Sequence, residues 1–185
     1  MQGNTLMFWS RSLLPLEHDF VLRHFGHSLQ SLQPRIRLYQ RRLGDTRRAL
    51  SLNGGRIYLP RSFFVAGQPE RVLKLDHPAV AGVFAHELLH QWQRLQGVAV
   101  TRKALLLHAK AICLRSDPYT YCVSDDGVAM LEIFRAASVE QQGQMWEDYV
   151  RAVVSGASMP CMEQVRAFVA GAGESCGPEV TDSQG

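Results

Sequence analysis

Two histidines and a glutamate lie close together in the segment His86-Glu87-Leu88-Leu89-His90, which has the pattern HExxH. On a helix, residues four positions apart share a face, so both imidazoles can reach one metal ion. Glu87 lies about 100° round the helix from His86, where it can take a proton from a water that the ion polarises. The segment therefore predicts a zinc site, with His86 and His90 as ligands and Glu87 as the catalytic base.

The residues around this motif favour a functional site over a chance match. With this composition the pattern arises in about 1% of shuffled sequences. On a helix through residues 79–95, one face is apolar and carries Phe84, Leu88, Trp92 and Leu95. The opposite face is small or polar and carries Ala79, Gly82, His86, His90 and Gln93. Small neighbours leave room for a metal ion and a substrate beside the histidines.

The motif leaves the third protein ligand open. The residues that follow it, Gln91 to Gln96, lack the glycine and third histidine of the pattern HExxHxxGxxH, so a metzincin is excluded. A third ligand must come from farther along the chain. The candidates are His108, Glu132, Glu140 and Glu147. Zinc held by two histidines and one glutamate keeps an open position for water, which is a peptidase arrangement.

Local signals predict the elements that position the motif. Pro78 suits the first turn of a helix and Gly97 suits its end, which predicts a central helix over residues 78–96. Further helices are predicted over residues 15–25, 101–114, 128–137, 139–154 and 162–171. Alternating residues predict strands over residues 36–39 and 56–59, and the turn Asn53-Gly54-Gly55 predicts an antiparallel hairpin.

These elements predict an α+β, zincin-like fold in which a small antiparallel sheet packs on the central HExxH helix. We expect residues 1–172 to form one domain and the polar residues 173–185 to form a disordered tail. The strand over residues 56–59 is expected at the edge of the sheet, where an extended peptide substrate can pair with it.

Composition limits the classes of protein further. Of 185 residues, 46% are hydrophobic and 20% charged, which is typical of a soluble domain. We expect no Sec signal peptide and no membrane span. The arginines between Arg35 and Arg48 are interpreted as a solvated surface, and no nucleic-acid partner is expected. At least one disulfide is predicted, and Cys113 with Cys122 and Cys161 with Cys176 are the favoured pairs because each closes a short loop; four buried free thiols are the alternative.

The chain resembles the VgrG-associated (vgr-related) zinc metallopeptidase domains, some of which are C-terminal effectors on type VI secretion spikes. The resemblance covers roughly residues 13–150 in the same order. It depends on four segments: Leu52 to Pro60 (LNGGRIYLP), Phe84 to Gln93 (FAHELLHQWQ), Tyr119-Thr120-Tyr121, and Val139 to Gln142 (VEQQ) followed by Glu147-Asp148-Tyr149.

The resemblance implies Glu140 as the third zinc ligand, because the glutamate of the family's E-Q-Q segment falls there. Helical spacing agrees: Gly143, one turn beyond Glu140, allows a close approach to the central helix, whereas Glu147 lies about 10 Å along the axis. The family's Y-x-Y segment falls on Tyr119 and Tyr121, which we expect among the donors that stabilise the oxyanion, with His108 as a further candidate.

The resulting hypothesis is a zinc-dependent peptidase that cleaves a peptide or protein substrate. The resemblance implies export through a dedicated secretion system, with the secretion spike to which the domain is fused or on which it is carried as a partner, and action in a target cell's periplasm or in a host cell. A cell-wall peptide amidase or endopeptidase would use the same site. A non-catalytic, zinc-stabilised binding module is the alternative from another class, and the presence of Glu87 counts against it.

Overall fold

The computed structural model describes residues 10–42, 46–114 and 117–171, and for residues 108–114 it describes the helical backbone but not the side chains. These residues form four strands: β1 (Ser10–Ser12), β2 (Arg37–Gln40), β3 (Leu50–Leu52) and β4 (Arg56–Leu59). They also form six α-helices: α1 (Pro15–Phe25), α2 (Pro78–Leu95), α3 (Val100–Leu114), α4 (Gly127–Ala136), α5 (Val139–Val154) and α6 (Glu163–Val169). The α+β class is confirmed.

The sheet is mixed, so the prediction of an antiparallel sheet is wrong in part. Its strand order is β1-β2-β4-β3, and β2 and β4 run parallel, with Leu38 opposite Ile57. The predicted turn does form a hairpin, but it joins β3 to β4. Gly54 and Gly55 in this turn have φ of 74° and 78°, a region that favours glycine. Because β3 reverses the chain between β2 and β4, the latter two strands point the same way.

The strand over residues 56–59 is also not at an edge of the sheet. β4 lies between β2 and β3, so its backbone groups are already paired on both sides. β3 forms the edge instead, and side chains of α2 cover two of its carbonyls. Arg94 donates to the Ser51 carbonyl at 2.9 Å, and Gln91 donates to the Leu52 carbonyl at 2.8 Å. Pairing of a substrate with β4 is therefore excluded in this fold.

Helix α2 is the centre of the molecule, with the sheet on one side and α5 on the other. Its predicted limits are confirmed, and all but one of the residues from Val80 to Gln93 are buried. Gln91 attaches it to the hairpin, because its amide oxygen accepts a hydrogen bond from the Gly55 N–H at 3.2 Å. Leu95, predicted on the apolar face, is 42% exposed because it lies at the end of the helix.

A buried ion pair fixes the start of the chain's described part against the segment that leads to α2. The Arg11 guanidinium contacts both carboxylate oxygens of Glu17, at 2.5 and 2.6 Å, and Glu17 is fully buried. Glu17 also accepts the backbone N–H groups of Leu14 and Leu73, at 2.8 and 3.0 Å. A buried carboxylate with so many donors is a structural group.

Several predictions concern residues that the structure does not describe or describes only in part. The tail over residues 173–185 lies outside, as do the side chains of Cys113 and Cys176, so neither disulfide is tested. Cys122 is exposed and Cys161 is half-buried. Among the arginines of the basic stretch, Arg41 donates to the carbonyls of Arg48 and Ala49. None of the described helices is both long and apolar enough to cross a membrane.

Candidate metal centre

Helix α2 presents the two motif histidines on one buried face. His86 and His90 are each 7% exposed, and their Nε2 atoms lie 3.1 Å apart. Both Nε2 atoms therefore point to the same place, as the spacing of four residues predicted. Their Nδ1 atoms point away and are occupied: that of His86 lies 3.2 Å from Glu147 Oε2, and that of His90 lies 2.8 Å from Gln93 Oε1.

Helix α5 brings Glu140 to the same point. Its Oε2 atom lies 3.5 Å from His86 Nε2 and 3.7 Å from His90 Nε2. Glu140 is 5% exposed, and one ligand atom from each of the three residues falls within 4.8 Å of the others. This is a compact group of two imidazole nitrogens and one carboxylate oxygen, which could hold a metal ion.

The other candidates for the third ligand have different positions. Glu132 is exposed on α4, as expected of a surface residue. Glu147 is buried, but its carboxylate binds His86 Nδ1 and the Arg151 guanidinium and does not join the three-residue group. His108 belongs to α3, where its side chain lies outside the described part of the chain.

Two glycines allow α2 and α5 to approach closely. A Cβ atom on Gly143 would lie 2.6 Å from His86 Nε2, far inside van der Waals contact. A Cβ atom on Gly82 would lie 3.0 Å from the Glu147 carbonyl oxygen. At each of these points one helix contributes a glycine, and a residue of the other helix, His86 or Glu147, packs against it. This contact brings Glu140 level with the histidines, as the spacing of Gly143 predicted.

The charges of the site favour a bound cation. Burial acts to lower the pKa of His86, but hydrogen bonds to Glu140 and Glu147 and the charge of Glu87 raise it to about 10. Burial acts to raise the pKa of Glu140, but the neighbouring imidazoles of His86 and His90 hold it well below its usual range. Buried carboxylates need a positive charge beside them, which a metal ion at this point would supply.

Glu87 lies inside the same buried site. It is 7% exposed, and burial raises the pKa of its carboxyl group despite the opposing effect of His90 and His86. Glu140 also raises this pKa. A carboxylate that is easier to protonate than usual can accept a proton from water and return it later in a reaction.

The two tyrosines predicted as oxyanion donors have different surroundings. The Tyr119 ring lies 6.4 Å from that of His86, and the pKa of its hydroxyl is raised by burial and by the charge of Glu140. The Tyr121 hydroxyl donates to Asp148 Oδ2 at 2.8 Å. The structure thus places the Tyr119 ring near His86, whereas the Tyr121 hydroxyl is bound to Asp148 on α5.

Gln93 and Gln142 are site residues to which the sequence analysis gave no function. The signal for Gln93 was present, since it follows His90 by three positions and so lies on the same helical face. Gln142 could not be found in this way, because it reaches the site from α5 through Gln93.

No protein-family model, curated protein or solved structure matches the chain. Conclusions about function therefore depend on the chemistry of the site itself.

Proposed function

We propose that the protein is a zinc-dependent peptidase in which His86, His90 and Glu140 bind the metal and Glu87 is the general base. The observation that carries this proposal is the convergence of three buried ligand atoms, with the buried carboxyl group of Glu87 beside them. Two imidazoles and one carboxylate form a donor set of catalytic zinc sites, which leave a coordination position open. A purely structural zinc site has no need of a base such as Glu87.

When bound, zinc would act as a Lewis acid that makes water acidic and polarises a carbonyl group. Glu87 removes a proton from the attacking water and then gives it to the departing amine. Its burial supports this assignment, because a raised pKa brings the carboxyl group nearer to the working pH. His86 and His90 would bind the metal through their Nε2 atoms as neutral imidazoles, because a metal ligand must be deprotonated at the ligating atom.

Tyr119 is the better candidate for the donor that stabilises the oxyanion. Its ring lies near His86, and burial together with the charges of Glu140 and Glu87 raises the pKa of its hydroxyl. Tyr121 instead supports the segment: its bond to Asp148, together with the bond from Gln141 to the Thr120 carbonyl at 2.7 Å, attaches residues 119–121 to α5. In this proposal Tyr119 contacts the substrate and Tyr121 fixes the backbone on which Tyr119 lies.

The proposed substrate is a peptide or protein, and the proposed route is export by a dedicated secretion system. Support for the route comes from the resemblance to the VgrG-associated domains, which also suggests a target cell's periplasm or a host cell as the place of action.

Metal analysis combined with a cleavage assay tests the proposal. Wild type, Glu87→Gln and Glu132→Gln are purified from zinc-replete medium, and Glu132 serves as a matched control because it is an exposed glutamate on α4. We expect about one zinc per chain in all three proteins. Cleavage of a peptide library or of cell-wall peptide fragments should be lost only in Glu87→Gln. A wild type without zinc, or a fully active Glu87→Gln protein, would refute the proposal.

A further inference from the structure

A chain of amide groups connects His90 to the backbone of the helices beside it. The Nδ1 atom of His90 lies 2.8 Å from Gln93 Oε1. The amide nitrogen of Gln93 donates to the Val139 carbonyl at 3.1 Å and to Gln142 Oε1 at 2.8 Å. The amide nitrogen of Gln142 in turn donates to the Phe134 carbonyl at 2.8 Å. Gln93 is 1% exposed, so its bond to His90 is shielded from solvent, whereas Gln142 is half-buried.

The two backbone carbonyls decide the direction of every bond in this chain. A carbonyl group can only accept a hydrogen bond, so the NH2 group of Gln142 must face Phe134. The oxygen of Gln142 then faces Gln93, which must direct its own NH2 group to that oxygen and to the Val139 carbonyl. The oxygen of Gln93 is therefore left for His90. Because this oxygen is an acceptor, Nδ1 of His90 must carry the hydrogen.

We propose that Gln93, oriented by Gln142, is a positioning residue that fixes His90 in the tautomer with a bare Nε2 atom. That lone pair points to the place where Glu140 and His86 converge, and Nε2 is the atom that would bind the metal. The proposal rests on the proposed function in one respect, since the metal site gives the tautomer its purpose. It adds a function for two glutamines that belong to the segments HQWQ and EQQ.

The Nδ1 atoms of the two histidines face acceptors of different charge, a carboxylate at His86 and an amide oxygen at His90. His86 Nδ1 faces the carboxylate of Glu147, which Arg151 also binds. Glu140 and Glu87 already place two further carboxylates around the site. A carboxylate facing His90 would add another negative charge to this buried group, which is unfavourable. An amide of fixed direction supplies the same acceptor without a charge.

The tautomer can be measured in the metal-free protein by long-range ¹H–¹⁵N correlation spectra of the histidine rings, at a pH at which the spectrum itself shows the His90 ring to be neutral. His90 is assigned by comparison with a His90→Ala spectrum. The set contains wild type, Gln93→Met, Gln93→Glu and Gln142→Met, with Gln144→Met as the matched control. Gln144 is also on α5, but its side chain donates to Asp148 Oδ1 at 3.0 Å and is not a member of the amide chain. Zinc affinity is measured on the same proteins by competition with a chelating dye.

We expect hydrogen on Nδ1 of His90 in wild type, Gln144→Met and Gln93→Glu, because glutamate keeps an acceptor at position 93. In Gln93→Met a population with hydrogen on Nε2 should appear, and the zinc Kd should rise about 10- to 100-fold. Gln142→Met should show the same changes to a smaller extent, and it decides the matter if Gln93→Met does not fold.

Hydrogen on Nε2 of His90 in wild type would overturn the proposal. An unchanged tautomer or an unchanged zinc Kd in Gln93→Met would also overturn it. Neither readout requires catalysis, so a protein that binds zinc but cleaves no peptide would refute the peptidase and leave this inference standing. A wild type that binds no zinc would refute the proposed function, while the tautomer of His90 would still test the direction of the amides.

Discussion

Replacing Gly143 by alanine tests the close contact between α2 and α5. The added Cβ atom would lie 2.6 Å from His86 Nε2, against 3.4 Å for the lower limit of ordinary contact, a shortfall of 0.8 Å (3.4 − 2.6). Overpacking of this kind costs about 1–3 kcal/mol. Alanine returns about 1 kcal/mol through its better helix propensity. The free energy of unfolding should therefore fall by at most about 2 kcal/mol, which is a modest change.

The effect of Gly143→Ala on the metal should be larger than its effect on stability, because the displaced atom is the proposed ligand Nε2. We expect the zinc Kd to rise about 10- to 100-fold, the range found when a ligand loses its orientation. Thermal unfolding of the metal-free protein and dye competition for zinc measure the two effects separately.

Gly127→Ala is the control for this experiment. A Cβ atom there would lie 3.5 Å from the nearest atom of Gln164, an ordinary contact, so α4 should keep or slightly gain stability and zinc affinity should not change. If Gly143→Ala instead raises the melting temperature and binds zinc as tightly as wild type, then the helix contact does not position His86 and the reasoning is wrong.

Three further predictions concern the metal, a buried histidine and the tyrosines. Glu140→Ala should lose most of its zinc while Glu132→Ala keeps about one ion per chain. The opposite pattern would show that Glu132, and not Glu140, is the third ligand. Burial, with a smaller effect of Arg23, lowers the pKa of His24 from 6.5 to about 4. The unfolded chain therefore takes up a proton first as the pH falls, so stability should decrease between pH 6.5 and about 4 by about 3 kcal/mol. In urea unfolding at a series of pH values, His24→Leu should lack this decrease, and parallel curves for the two proteins would contradict the prediction. Tyr119→Phe should lower kcat about 10²- to 10³-fold with zinc retained and Tyr121→Phe less, so a greater loss in Tyr121→Phe would reverse the assignment.

The limits of the helices could be predicted from the sequence because the residues that begin and end a helix lie next to it in the chain. Pro15 and Pro78 lie in the first turns of α1 and α2, Gly26 and Gly97 follow their ends, and the observed limits agree with the prediction. The grouping of the proposed ligands His86 and His90 followed from the same local geometry, whereas Glu140 was implied by the resemblance and supported by helical spacing. The spacing of His86 and His90 fixes their common face, and Gly143 gave the reason for a close approach by α5.

The direction of strand pairing could not be predicted in the same way. Alternation of apolar residues shows which face of a strand is buried but not which neighbour it has or how that neighbour runs. The short strand Leu50–Leu52 gave no clear pattern, and its omission made β2 and β4 seem a hairpin. The chain of amide groups from His90 to Gln142 could not be predicted either, because it also depends on which elements are neighbours. Gln142 acquires its proposed function only through a contact with Gln93 on another helix.

The three proposed ligands come from two segments that lie 50 residues apart, from His90 to Glu140 (140 − 90). In an unfolded chain Glu140 is far from the two histidines, so this donor set exists only after α5 has packed on α2. A bound ion would therefore favour the folded state, by about 2.7 kcal/mol when free zinc is a hundred times its Kd. Unfolding of this chain would then depend on the zinc concentration around it, and chelation would loosen the helix pair that the metal joins.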